Sequence, residues 1–135
     1  VMMLNGALAG LVAITAEPLT PGPITAMFIG SIGAIIMYFG TKMLESYGLD
    51  DVVGAIPVHM FAGIFGTLVV PLTNSDTSFG TQFIGTASVC IFSFGLSWIT
   101  FTLLKSTIGL RISKAAEKLG TDKAEVGVTA YSIRD

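Results

Sequence analysis

Charge is what this 135-residue sequence lacks most. Asp, Glu, Lys and Arg together make up 12% of it, about half the share of an ordinary soluble domain. The few charges are also segregated. Residues 1–16, 18–41, 52–75 and 77–104 carry none. Each of the last three runs exceeds the roughly 20 residues a helix needs to cross a hydrocarbon core of about 30 Å. They are punctuated by Ser, Thr, Asn, Gln, Gly and a single histidine, so the charged face of a soluble amphipathic helix is missing. Sustained period-two alternation is missing too, which argues against a barrel of spanning strands of about ten residues. The mean hydropathy of +0.79 agrees. The predicted class is all-α: a polytopic transmembrane helix bundle, embedded in the lipid bilayer as a multi-pass protein.

Other scarcities narrow the chemistry. Cys90 is the one cysteine and lies in the last apolar run, where a lone thiol reads as a small hydrophobe and allows no internal disulfide. No zinc-type ligand spacing, phosphate-cradling glycine loop or basic nucleic-acid patch is present, so no metal, cofactor or nucleic acid is expected. One histidine without paired carboxylates or a serine–base set assembles no familiar catalytic constellation, and an enzyme is not expected. No basic region precedes Val1 as in a signal peptide. The opening run of 1–16 would make a helix of about 24 Å, short of the core, and it starts abruptly on an apolar residue. The chain therefore reads as a fragment whose first helix begins upstream.

Four helices are predicted, over about 1–16, 24–47, 53–72 and 81–106. The first stops at "EPLTPGP", where prolines and a glycine break it, and the second stops at Gly48. Asp50 and Asp51 precede the third and complement the positive end of its dipole, a structural role at a helix start. "PLTNSDTSFG" separates the third from the fourth. Residues 1–108 thus form the membrane part and 109–135 a tail of soluble character. Lys42 lies between the second and third helices and the other six basic residues fall from Lys105 onward. The positive-inside rule places the 42–51 loop and the C-terminal tail in the cytoplasm. Gly6 and Gly10, then Ala26 and Gly30, are four apart, with Gly33 and Ala34 nearby, a spacing suited to close helix packing.

That leaves His59, inside "GAIPVHMFAGIFG" at 54–66. An ionisable side chain in a membrane span is a functional candidate by default, and a histidine hydrogen-bonded to a neighbouring helix is the plain alternative. Pro57 removes a backbone donor two residues earlier, which is tolerated where a neighbour or a cavity satisfies the freed carbonyl. On a regular helix His59, Gly63 and Gly66 share one face, nearly bare apart from the imidazole. Such a face either accepts another helix backbone or lines a narrow passage. Phe61 and Phe65 form a separate row that reads as packing.

These segments resemble the ammonium transporter family (Amt/Mep/Rh). "NGALAGLVAIT" at 5–15 is similar to its eighth-helix signature, and "DDVVGAIPVHMFAGIFGTL" at 50–68 to its tenth. "GLRIS" at 109–113, then "LGTD" at 119–122 and "AY" at 130–131, are similar to its cytoplasmic tail. The resemblance covers essentially the whole chain and implies the last four helices of an eleven-helix fold, assembled as a homotrimer. It implies ammonium/ammonia transport through a hydrophobic pore, with ammonium deprotonated at a pair of pore histidines. His59 would be the second of that pair, and the first would lie upstream of Val1. Thr15 corresponds to a threonine near the cytoplasmic side of the pore, and Asp50 and Asp51 to an acidic pair at the cytoplasmic mouth.

The sequence also departs from the family pattern. Met60 stands where a glycine usually follows the histidine, Ala62 where cysteine is frequent, and Val52 where proline is usual. In the tail, "VGV" at 126–128 replaces a common His-Gly-Glu, which bears on whether the tail couples subunits or responds to a PII signalling protein at the cytoplasmic face. Some relatives of the same fold are ammonium sensors coupled to cytoplasmic signalling domains, and that is the competing expectation for function.

Overall fold

A computed structural model describes residues 1–129, and every regular element among them is helical. Two compact units divide the chain, Val1–Ile91 and Phe92–Asp135. In the first, α1 (Met2–Thr15) and α2 (Pro23–Ser46) are separated by the proline-rich stretch that the sequence marked as a break. Pro23 opens α2, where its missing N–H is one of the first-turn donors that no helical carbonyl would accept. α2 closes in a Schellman arrangement: Gly48 has φ +68°, and the Leu49 N–H reaches the Leu44 carbonyl at 3.0 Å.

Small residues set how closely these helices approach. A Cβ built on Gly10 would stand 3.1 Å from the Gly30 carbonyl oxygen, and one on Gly33 would stand 2.6 Å from Ala13 Cβ. The backbones are therefore in contact. The core around them is Ala9, Met37, Val58 and Ala62, with Val12 packed against it. In lipid, where helix association gains little from hiding apolar surface, this close dispersion contact is the main cohesive term.

The third apolar run is not one regular helix over 53–72. Val52 and Val53 lie in a turn, and Gly54 has φ +75°. A π-helical turn then covers Ile56–Phe61, followed by α3 (Ala62–Val69) and a 3₁₀ turn over Val70–Leu72. Pro57 explains the difference from the expected helix, because a residue without an N–H cannot make the regular i→i−4 bond. The segment runs parallel to α1, as bonds at both ends show. Asn5 Nδ2 donates to the Val53 carbonyl at 2.9 Å, and Asn74 Nδ2 donates to Glu17 Oε2 at 2.9 Å.

α4 (Phe79–Thr107) is 29 residues long and buries none of them. It and α2 are the two described helices long and apolar enough to cross a membrane. α5 (Lys114–Leu119) is capped by Ser113, whose hydroxyl accepts the Ala116 N–H, and ends at Gly120 with φ +95°. Arg111 and Glu117 pair at 2.5 Å, and that hydrogen bond, with the added charge attraction, raises the guanidinium above its usual pKa. Ala130 and Tyr131, which carried part of the tail resemblance, lie outside the described residues.

A close approach of backbones predicts an asymmetry between two neighbouring glycines. A Cβ on Gly66 would collide with the Ala13 carbonyl, whereas one on Gly63 would meet Val12 Cγ1 at an ordinary 3.6 Å. In the protein encoded by the complete reading frame, Gly66→Ala is expected to cost about 1–3 kcal/mol as an overpacking change. Gly63→Ala is expected to cost well under half of that. Thermal unfolding in detergent compares them, and equal effects would contradict the packing described.

Candidate functional site: the histidine turn

The turn that carries His59 is built from its start. Asp51 accepts two backbone donors, the Ala55 N–H on Oδ1 at 2.9 Å and the Ile56 N–H on Oδ2 at 2.7 Å. Both are first-turn N–H groups with no carbonyl to receive them, and a carboxylate there also faces the positive end of the dipole. Asp50 makes no such bond among the described residues. Of the acidic pair that the sequence placed at this helix start, Asp51 is the one in contact with it.

Next comes the proline. In a regular helix the Pro57 N–H would pair with the Val53 carbonyl, and that carbonyl instead receives the Asn5 side-chain amide of α1. The Val58 N–H resumes the ladder on the Gly54 carbonyl at 3.1 Å. The Ala62 N–H then reaches the Pro57 carbonyl, an i→i−5 bond, and also the His59 carbonyl. Wide turns of this kind recur at functional sites, because they redirect a side chain without breaking the helix.

The redirection is visible in burial. Pro57, Val58 and Ala62 are buried, while His59 and Met60 are exposed. Phe61 lies over Gly40 of α2, where an added Cβ would be 2.5 Å from the ring, so this aromatic packs between helices. No hydrogen bond or ion pair to the imidazole is present among the described residues.

Gly63 and Gly66 do not share the exposed side with His59. Gly66 is buried against the Ala13 backbone of α1 and half-buried Gly63 faces Val12. Of the two uses weighed for the bare face, these glycines take the first and seat a neighbouring helix. A uniform α-helix would align all three residues. The π turn advances each residue by a smaller angle, and His59 is exposed where Gly66 is buried.

Thr15 is also apart from His59. Its hydroxyl donates to the Leu11 carbonyl of its own helix at 2.6 Å. It belongs to the end of α1 held by the Glu17–Asn74 bond, away from the end where Asn5 meets Val53. A cytoplasmic 42–51 loop and a Thr15 on the cytoplasmic side are therefore incompatible expectations, because this packing puts them at opposite ends. Asn5 is the residue that sequence reasoning missed. The signal was available: a proline inside an apolar run frees a carbonyl, and Asn5 is the one amide side chain in the first run.

The second polar tie is Glu17. Its carboxylate is held below the usual range, first by the Asn74 side-chain amide and then by the Leu19 N–H.

Comparison with known proteins gives one consistent match. The Ammonium Transporter Family matches residues 1–131. Ammonium transporter Amt2 of Archaeoglobus fulgidus is 38% identical over 96% of this chain and 32% of its own length. Ammonium transporter Amt2 of Methanocaldococcus jannaschii is 35% identical over 94% of the chain and 32% of its length. The ammonium transporter of Corynebacterium glutamicum is 32% identical over 96% and 32% respectively. The chain thus spans about a third of the length of these curated relatives.

Two predictions follow from the ties around the turn. Asp51→Ala leaves two N–H groups without their acceptor and is expected to cost about 1 kcal/mol, as losses of helix caps do. Asp50→Ala is expected to stay within about 0.5 kcal/mol of the parent, as an exposed substitution. Chemical or thermal unfolding in detergent checks both. For Glu17 the folded-state pKa is the depressed one, so its contribution is present above the ordinary value of 4.5 and fades as pH falls through the folded value. Glu17→Gln should therefore flatten the acid limb of stability, read as unfolding temperature from about pH 6 to about pH 3. An unchanged slope would contradict the assignment.

Proposed function

The chain belongs to the Ammonium Transporter Family, and we propose that it forms part of a membrane passage for ammonium in which His59 takes up or relays the substrate's proton. One observation carries this reading. The turn presents an exposed imidazole with no hydrogen-bond or ion-pair partner among the described residues, within a segment that is otherwise free of charge. The relatives' names supply the substrate class.

Magnitudes favour deprotonation over passage of the intact ion. Taking an ammonium-sized ion into a low-dielectric medium costs of order 20 kcal/mol by the idealised Born estimate, less after relaxation. Removing its proton at pH 7 costs about 5 kcal/mol, with the lysine ammonium pKa of about 10.4 as a proxy and about 1.36 kcal/mol per unit. A neutral imidazole accepts through one nitrogen while donating through the other, so it can orient the neutral species and pass on the proton. A second imidazole upstream of Val1 would complete the pair.

In this reading the 42–51 connection and the tail face the cytoplasm, and Thr15 lies near the opposite surface. We prefer this orientation because six of the seven basic residues lie from Lys105 onward, while the Thr15 correspondence rests on one residue. The functional protein is a homotrimer in a cell membrane, and the tail is where a PII signalling protein would act.

The test is His59→Ala in the protein encoded by the complete reading frame, reconstituted in liposomes. Methylammonium uptake is expected to fall about a hundredfold or more, as when a general acid–base group is removed. Unchanged uptake, ammonium-evoked current and selectivity would overturn the proposal. Tight ammonium binding by the unsubstituted protein with no uptake would instead assign the chain to a sensor of the same fold.

A further inference from the structure

The bond between Asn5 and Val53 crosses from α1 to the start of the histidine segment, and nothing in the transport reading requires it. Its surroundings are shaped for it. Gly54 has φ +75°, and a Cβ there would stand 2.5 Å from Asn5 Nδ2, so any larger residue would displace the amide. Pro57 lacks the one backbone donor that would otherwise compete for the Val53 carbonyl. Asp51 holds the Ala55 and Ile56 N–H groups, and Gly54 receives Val58. Each backbone donor of the first turn thus has an acceptor, and the Val53 carbonyl is satisfied from outside the segment.

The same helix holds the segment again further along, where Ala13 meets Gly66. His59 lies between these two attachments, inside the π turn. With the far attachment fixed, the near one decides whether the intervening residues wind as π or as α. That in turn decides the direction in which residue 59 projects.

We propose that Asn5 is a positioning residue for His59: by supplying the N–H that Pro57 lacks, it fixes the start of the π turn and hence the direction of the imidazole. The inference rests on the reading of His59 as the proton-handling group, but its geometric content can be tested without that reading. The Val53 carbonyl lies at the exposed start of the segment, so what the Asn5 amide supplies is a fixed tie to α1. Loss of the Asn5 donor releases the start of the segment from α1, and the turn is then free to rewind.

Two arms test it, in the protein encoded by the complete reading frame. The first reads direction alone. His59→Cys is introduced with Cys90→Ser, and its modification by a small cationic methanethiosulfonate is timed with and without Asn5→Leu. The rate is expected to change about tenfold or more, as displacements of about 1 Å do at a shaped site. An unchanged rate overturns the proposal, whatever transport does.

The second arm separates direction from stability. Asn5→Leu alone should lower methylammonium uptake by a similar factor. Asn5→Leu with Pro57→Ala returns a backbone donor to Val53, so the unfolding temperature should recover while uptake stays low, because the turn now winds as α. Should the single variant fail to fold, the double variant carries the same comparison. If stability and uptake recover together, Asn5 is merely a structural anchor and the proposal is overturned. If His59→Ala leaves uptake unchanged while the thiol rate responds to Asn5→Leu, the positioning stands and the transport reading fails.

Discussion

A carbonyl without a donor is the constraint on which the histidine turn depends. The Val53 carbonyl lies at the exposed entrance of the segment, so a donor from another helix fixes where the segment begins. Pro57 creates the problem at Val53, and the Asn5 amide from a neighbouring helix meets it at 2.9 Å. The remaining features follow. Gly54 gives the amide room, Asp51 collects the two adjacent N–H groups, and the chain enters a π turn instead of a regular helix. The imidazole is the side chain whose direction that turn decides.

The contacts around this turn divide the work between small residues and polar ones. Glycines and alanines on α1, α2 and α3 bring backbones together, and the buried set of Ala9, Met37, Val58 and Ala62 fills the space between them. Directional bonds are few and sit at the two ends, Asn5 to Val53 and Glu17 to Asn74. This suits a bilayer, where shape complementarity holds helices and polar side chains fix register. His59 takes part in neither kind of contact among the described residues. An ionisable group in a membrane span is a functional candidate by default, which is why the proposed proton handling is placed on it.

Much of the fold was legible because charge is costly in lipid and prolines are costly in helices. The uncharged runs located the helices, and the prolines at 18, 21 and 23 and the glycine at 48 marked where α1 gives way to α2 and α2 ends. The family was legible from the block at 50–68 and the match over 1–131 agrees with it. The interior of the third segment was not. Helical periodicity assumes a constant turn angle, so it aligned His59 with Gly63 and Gly66, and the π turn breaks that assumption. Asn5 escaped notice for a related reason: its role depends on a partner 48 residues away, and sequence spacing does not report which amide answers a freed carbonyl. Thr15 came by resemblance alone; its hydroxyl bonds its own helix, and its end of α1 is the one tied to Asn74.

The account stands on an imidazole bordering a dry conduit in which ammonium loses its charge. An experimental structure of the entire protein in a lipid nanodisc tests this most directly, because it shows what the His59 ring faces. The account predicts a continuous narrow passage beside the ring, with a second imidazole across it. A ring pressed against lipid tails, or bonded to a backbone carbonyl away from any passage, would contradict it.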